Sequence, residues 1–136
     1  MTAPLKHPEP GVDWETRAFW EGCGRHELIL QRCRSCGAVQ HRPRALCVSC
    51  LSDKIEHFAA TGRGTVYSYT VTHQNQARGF REALPYVLAY VELEEGVRLL
   101  TNIVGCTPET VRIGLPVCVE FADLEGGIAV PRFRPA

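Results

Sequence analysis

The sequence predicts a mostly β fold in three parts: a short N-terminal helix, a cysteine-bearing ribbon and a five-stranded barrel. Three observations carry this. Cys33, Cys36, Cys47 and Cys50 fall in the spacing C-x2-C-x10-C-x2-C. From Gly62 onward, five apolar-rich runs alternate with turn residues. Before the cysteines, Trp14, Phe19 and Trp20 crowd one short segment that closes on Gly22 and Gly24. The expected parts are residues 1–24 (arm and helix), 25–57 (ribbon) and 58–136 (barrel).

Length and charge bound the function. At 136 residues the chain holds at most two small modules. An apolar fraction of 45% and a charged fraction of 22% are those of a soluble globular protein. Fifteen basic and fifteen acidic side chains cancel, which weighs against a free-standing nucleic-acid binder. No run approaches the roughly 18 apolar residues of a membrane span. Residues 1–14 lack the apolar centre of a secretory signal, so a cytoplasmic chain with reduced thiols is expected.

The elements follow in order. Residues 1–12 hold Pro4, Pro8, Pro10 and Gly11 and read as an irregular arm. Asp13 is placed to cap a helix carrying Trp14, Phe19 and Trp20, with Gly22 and Gly24 as its stop. Two readings stand for this helix: packing on its own domain, or docking a partner through an aromatic face. Residues 27–33 and 38–44 read as short strands around the first cysteine pair. Gly37 suits the tight turn after C-x2-C. Four cysteines as two close pairs in a reducing compartment point to a closed, structural Zn2+ site of four thiolates. With every position taken by protein, such a site leaves none for substrate. Cys23, Cys106 and Cys118 remain: Cys106 and Cys118 read as small core residues, and Cys23 as a remote fifth thiol.

Residues 64–73, 86–93, 97–104, 117–122 and 128–133 read as strands. A short helix is expected after Thr107 and Pro108, with Gly114 at its far end. Pro131 marks the last strand as an edge. Three strands, a helix and two strands are the element order of an OB-fold.

The stretches FWEGCGRHELILQRCRSCG (19–37), HRPRALCVSC (41–50), GTVYSYTV (64–71), PYVLAYVEL (85–93) and LLTNIVG (99–105) resemble the rubredoxin-like zinc-ribbon/OB-fold acyl-CoA-associated proteins, long known as a domain of unknown function. The resemblance covers about nine-tenths of the chain. It implies an accessory subunit in a hetero-oligomer with a thiolase-fold enzyme, such as a thiolase, acyltransferase or retro-aldolase acting on acyl-CoA. The partner would supply the catalytic groups, and this chain would help hold or guide the CoA thioester.

Three constellations bear on function. Arg32, Arg34, Arg42 and Arg44 lie in a basic stretch with one acid, Glu27. As a CoA-phosphate site they would use the two-point geometry of guanidinium on phosphate. A solvated ribbon face, or pairing with a partner's acids, is the plainer reading. Phe80 and Arg81 sit in a long connection, 73–85, and join Trp14, Phe19 and Trp20 as partner-interface candidates. Tyr67, Tyr69, Tyr86 and Tyr90 read as barrel core or ribbon contacts; on a nucleic-acid OB-fold they would be stacking platforms. No nucleophile–base pairing or phosphate loop appears, so no catalytic residue is assigned. The competing function is nucleic-acid binding through ribbon and barrel.

Overall fold

The computed structural model describes residues 7–136. Pro4 and the first half of the expected arm lie outside the described residues. Among the described residues there are one helix, α1 (Arg17–Gly24), and eight strands: β1 (Ile29–Cys33), β2 (Val39–Gln40), β3 (Ile55–Ala59), β4 (Arg63–Thr72), β5 (Tyr86–Leu93), β6 (Arg98–Ile103), β7 (Pro116–Asp123) and β8 (Ala129–Pro135).

The helix starts later than the sequence suggests. The Thr16 N–H donates to Asp13 Oδ1 (2.9 Å) and the Asp13 N–H to Thr16 Oγ1 (3.1 Å). This reciprocal box winds residues 14–16 as a turn ahead of α1. The helix ends at Gly24, as expected, but the left-handed residue that turns the chain is not a glycine. His26 takes the left-handed conformation (φ 61°). The His26 N–H bonds the Cys23 carbonyl (2.9 Å) and the Glu27 N–H bonds the Gly22 carbonyl (2.8 Å). That is a Schellman stop with histidine where glycine is usual. Gly22 has another task. A Cβ there would lie 2.3 Å from Ile29 Cγ1, so glycine lets α1 press onto β1.

The ribbon is a three-stranded sheet in the order β2-β1-β3. β3 was missed in the sequence, because its alternation (Ile55, His57, Ala59) is too polar to stand out. β1 is central and covered by α1, so Leu28, Ile29, Leu30 and Cys33 are all buried. Buried Gln31 and Gln40 join the sheet to the segment leading to Cys47. Gln40 Nε2 donates to Gln31 Oε1 (2.8 Å) and to the Leu46 carbonyl (3.2 Å). Gln31 Nε2 donates to the Arg44 carbonyl (2.9 Å) and Gln31 Oε1 accepts from the Arg44 N–H (2.9 Å). Gln40 Oε1 accepts from the Val48 N–H (2.9 Å). Every polar atom of both amides is used, which is what makes their burial affordable.

The second sheet closes into a barrel in the order β4-β5-β6-β8-β7. Its interior holds Val66, Val87, Ala89, Val91, Leu99, Ile103, Val117 and Phe133, in one cluster with Phe19, Cys23, Leu28 and Leu30 of the helix–ribbon part. Closure corrects the edge assignment of β8: it lies between β7 and β6. Pro131 is tolerated because it faces the sparse β6–β8 seam, where one residue pair, Ile103 with Phe133, is in register. The Pro131 carbonyl accepts there from Thr101 Oγ1 (3.1 Å). The expected helix after Thr107 is a single 3-10 turn, Pro108–Thr110. The tyrosines are not core. Tyr67 follows buried Val66 and points outward at a bulge between Val66 and Ser68, and Tyr67, Tyr69 and Tyr90 are exposed. In β5 the apolar residues that alternate with Tyr86 and Tyr90, namely Val87, Ala89 and Val91, fill the barrel instead.

Candidate functional site: a four-thiol centre and an aromatic cleft

The two cysteine pairs form matched turns. In the first, the Gly37 N–H bonds the Cys33 carbonyl (2.8 Å) and the Cys33 N–H bonds the Ala38 carbonyl (2.8 Å). In the second, the Leu51 N–H bonds the Cys47 carbonyl (2.9 Å) and the Cys47 N–H bonds the Ser52 carbonyl (2.9 Å). The turn residue is left-handed in both: Gly37 at φ 80° and Leu51 at φ 65°. Leucine holds that strained conformation while mostly exposed. Ser35 and Ser52 hydroxyls bond across the pair (2.8 Å).

The turns bring the four Sγ atoms within 4.8 Å of one another. Cys33 to Cys50 and Cys36 to Cys47 are each 3.6 Å. A tetrahedral ion about 2.3 Å from each sulfur requires sulfurs about 3.8 Å apart. The cluster therefore fits a metal ion. Its protonation pattern agrees. The Cys36 N–H, chiefly, holds Cys33 down to about 6, and the Cys50 N–H lowers Cys47. Cys36 and Cys50 go up, Cys50 to about 12. The N–H groups of Ala38 and Ser52 favour their thiolates, but the facing sulfurs of Cys47 and Cys33, with desolvation, outweigh them. Four thiols this close resist joint ionisation, and a central cation removes that conflict. Cys23 takes no part: it is fully buried, and desolvation pushes its thiol up to about 12. Cys106 and Cys118 are half-buried rather than core.

The second feature is a cleft of about 730 Å³, within the usual range for ligand sites. One wall is the outer face of β5 and β6, with Tyr86, Leu88, Tyr90 and Leu100. Trp20 and the His41–Pro43 stretch form the opposite side, and Phe80 and the arm at His7 and Pro8 also line it. Arg42, Arg98 and Arg132 line it, and among the described residues no carboxylate, lysine or cysteine does. The Arg98 guanidinium sits 3.7 Å over the Tyr67 ring and pairs with Glu92 (3.1 Å). His41 is held neutral: desolvation first, then Arg42, lowers it to about 4.

The arginines expected to act together are separated. Arg32 and Arg34 both approach Glu56 (3.8 Å each), and Arg32 also lies 4.0 Å over the Phe58 ring. Arg44 lines a small groove with Trp14, and Arg42 alone of the four lines the cleft. Strand alternation keeps Arg32 and Arg34 together at Glu56, while the Gln31–Arg44 backbone tether holds the Arg42–Arg44 stretch elsewhere. Among the interface candidates, Phe19 is corrected: it is buried in the chain's own core. Trp20 packs half-buried against that core, and Phe80 stacks on His7 (4.3 Å). Trp14 is 71% exposed. Arg81 is exposed and pairs with Glu82 (3.1 Å). Arg132 and His7 were missed. The alternation of Arg132, Phe133 and Arg134 in β8 was the available signal.

Comparison with known proteins places these features. The family description "ChsH2, rubredoxin-like zinc ribbon domain" matches residues 20–56, and "ChsH2, C-terminal OB-fold domain" matches residues 58–122. A probable enoyl-CoA hydratase alpha subunit of Thermomonospora curvata is 37% identical over 129 residues, 95% of this chain and 40% of that protein. The chain thus spans about two-fifths of that relative. A DUF35 domain-containing scaffold protein of Methanocaldococcus jannaschii is 42% identical over 102 residues, 74% of this chain and 72% of the relative. The benzoylsuccinyl-CoA thiolase subunit BbsA of Geobacter metallireducens is 34% identical over 74 residues, 54% of this chain and 48% of that subunit. Among solved structures, the Ltp2-ChsH2(DUF35) aldolase contains a chain with a TM-score of 0.86 and 36% identity, covering 93% of this chain and 98% of that one. The chain belongs to the DUF35 family, whose members join a rubredoxin-like ribbon to an OB-fold.

Proposed function

We propose that this chain is a non-catalytic accessory subunit of a thiolase-fold enzyme acting on CoA thioesters, and that its four cysteines hold structural zinc. The observation that carries the reading is the cleft. Among the described residues it offers three arginines, two histidines and aromatic walls, with no carboxylate or cysteine. That set suits an anion with an apolar body, and its Thr101 and Tyr86 hydroxyls bond the Pro131 carbonyl and Asn75 rather than a histidine base. The relatives named as hydratase, thiolase and aldolase components support the assignment to an acyl-CoA-processing complex.

The zinc assignment rests on the ligand set. Four thiolates at tetrahedral separation suit zinc, leave no open coordination position, and make binding energy available for folding. Cys33, Cys36, Cys47 and Cys50 would hold it. The working units are the arm and helix (1–24), the ribbon (25–57) and the barrel (58–136). Trp14, and Leu46, Val48 and Leu51 around the second knuckle, are exposed apolar side chains available to the partner. Arg42 remains the ribbon's candidate for CoA phosphate.

The test is turnover. The purified chain alone should leave an acyl-CoA thioester unchanged over hours, whereas the complex isolated with its partner should process it. Turnover by the chain alone, retained after its partner is shown to be absent, would make it an enzyme and end this reading.

A further inference from the structure

Arg132 is the unusual group of the cleft. It lies on β8 opposite Glu120 of β7, but Glu120 pairs with Arg134 (3.6 Å). Arg132 joins none of the ion pairs among the described residues. Its Nε is buried with no hydrogen-bond partner. Its Nη2 is 2.9 Å from Nδ1 of His7. A half-buried cation thus spends its contact on an imidazole and leaves a second donor unused, although such groups are costly without an acceptor. His41 Nδ1, on the same cleft, is also buried and unpartnered.

His7 belongs to the arm, not to the barrel. It reaches Arg132 by stacking on Phe80 (ring centroids 4.3 Å apart, planes at 16°). Burial first, then Arg132, lowers its proton affinity, with a Gly79 backbone hydrogen bond opposing. The neutral ring is therefore the acceptor Arg132 needs. Pro8 and Pro10 continue along the cleft.

We infer that the cleft receives an anionic amphiphile, an apolar acyl body carrying a carboxylate or phosphate, and that its anionic group displaces His7 from Arg132, making the arm a latch on the site. A charged acceptor satisfies the guanidinium at two points where the imidazole satisfies one. The apolar body lies along Tyr86, Leu88 and Leu100. The inference rests on the cleft being the ligand site of the proposed function, but it needs no partner.

The experiment is calorimetric titration of the full chain with dodecanoate, dodecanoyl-CoA and, as a neutral control, dodecanol. Wild type should bind at least one anionic probe, and dodecanol at least about tenfold more weakly. His7→Ala should tighten binding of that probe about three- to tenfold by removing the competitor. Arg132→Gln should weaken it about tenfold or more, and Arg132→Lys should recover part of the loss. Thermal melting checks that each variant is folded; should Arg132→Gln fail to fold, the His7→Ala result and displacement of the His7 ring signal in NMR decide. Preference for dodecanoyl-CoA assigns the anion to CoA, and preference for dodecanoate to a free carboxylate. Equal affinity of wild type and folded Arg132→Gln, weaker binding by His7→Ala, or no binding of either anionic probe overturns the inference. None of these touches partner docking, which the co-purified complex reports separately.

Discussion

His41 shows how one side chain's setting becomes a stability term. Burial against Phe19 and the nearby Arg42 charge keep it neutral, with its proton affinity near 4 against an ordinary 6.5. The unfolded chain therefore binds more protons between those values. Stability from this group is full above about pH 6.5 and falls as pH drops toward about 4, by up to about 1.4 kcal/mol per pH unit. Protonation of Cys33 and Cys47, whose thiols are also lowered, acts in the same direction, so the comparison must be made against a variant. The difference in melting temperature between wild type and His41→Gln should shrink or reverse as pH falls from 7 to 5; an unchanged difference would mean that His41 ionises freely. The clustering of the four cysteines was legible in the sequence, because C-x2-C spacing is a local constraint. The Gln31–Gln40 network was not. Its partners come from registers and loop paths that no short-range pattern encodes.

At the scale of elements, α1 resolves the two readings of its aromatic residues by splitting them. Phe19 is core, Trp20 lies half-buried at the cleft, and Trp14 stands in the capping turn, exposed. Phe19→Ala should cost about 3–5 kcal/mol. Trp14→Ala should change stability by less than about 0.5 kcal/mol while weakening the complex with the partner. Urea melts and a pull-down with each variant check both; a stable complex with Trp14→Ala would remove this turn from the interface. The strands were read well where alternation was strong, as in β5 and β6. The sequence misled where exposed aromatics alternate with small buried residues. Tyr86 and Tyr90 bracket buried Val87 and Ala89, and size alone suggested the opposite orientation. Pro131 misled in the same way, since a proline facing a thin seam of a closed barrel looks like an edge signal.

On the scale of the molecule, one apolar cluster runs from α1 through β1 into the barrel, so the ribbon and the OB-fold support each other and the cleft is built where they meet. The four-cysteine cluster gathers the two knuckles, and the Gln31–Gln40 network ties the chain before the second, from which His41 and Arg42 reach the cleft. The element order, and with it the family, was legible; the cleft was not, since it is assembled from the arm, α1, the 41–43 stretch, the loop near Phe80 and three strands. An accessory subunit stapled by zinc, as proposed above, would leave its cell with both its partner and its metal. Native mass spectrometry of the protein purified from its own cell should therefore find a hetero-oligomer with a thiolase-fold enzyme in near-stoichiometric amount and one zinc ion per copy of this chain. A metal-free chain, or one recovered with nucleic acid or with no enzyme partner, would contradict that proposal.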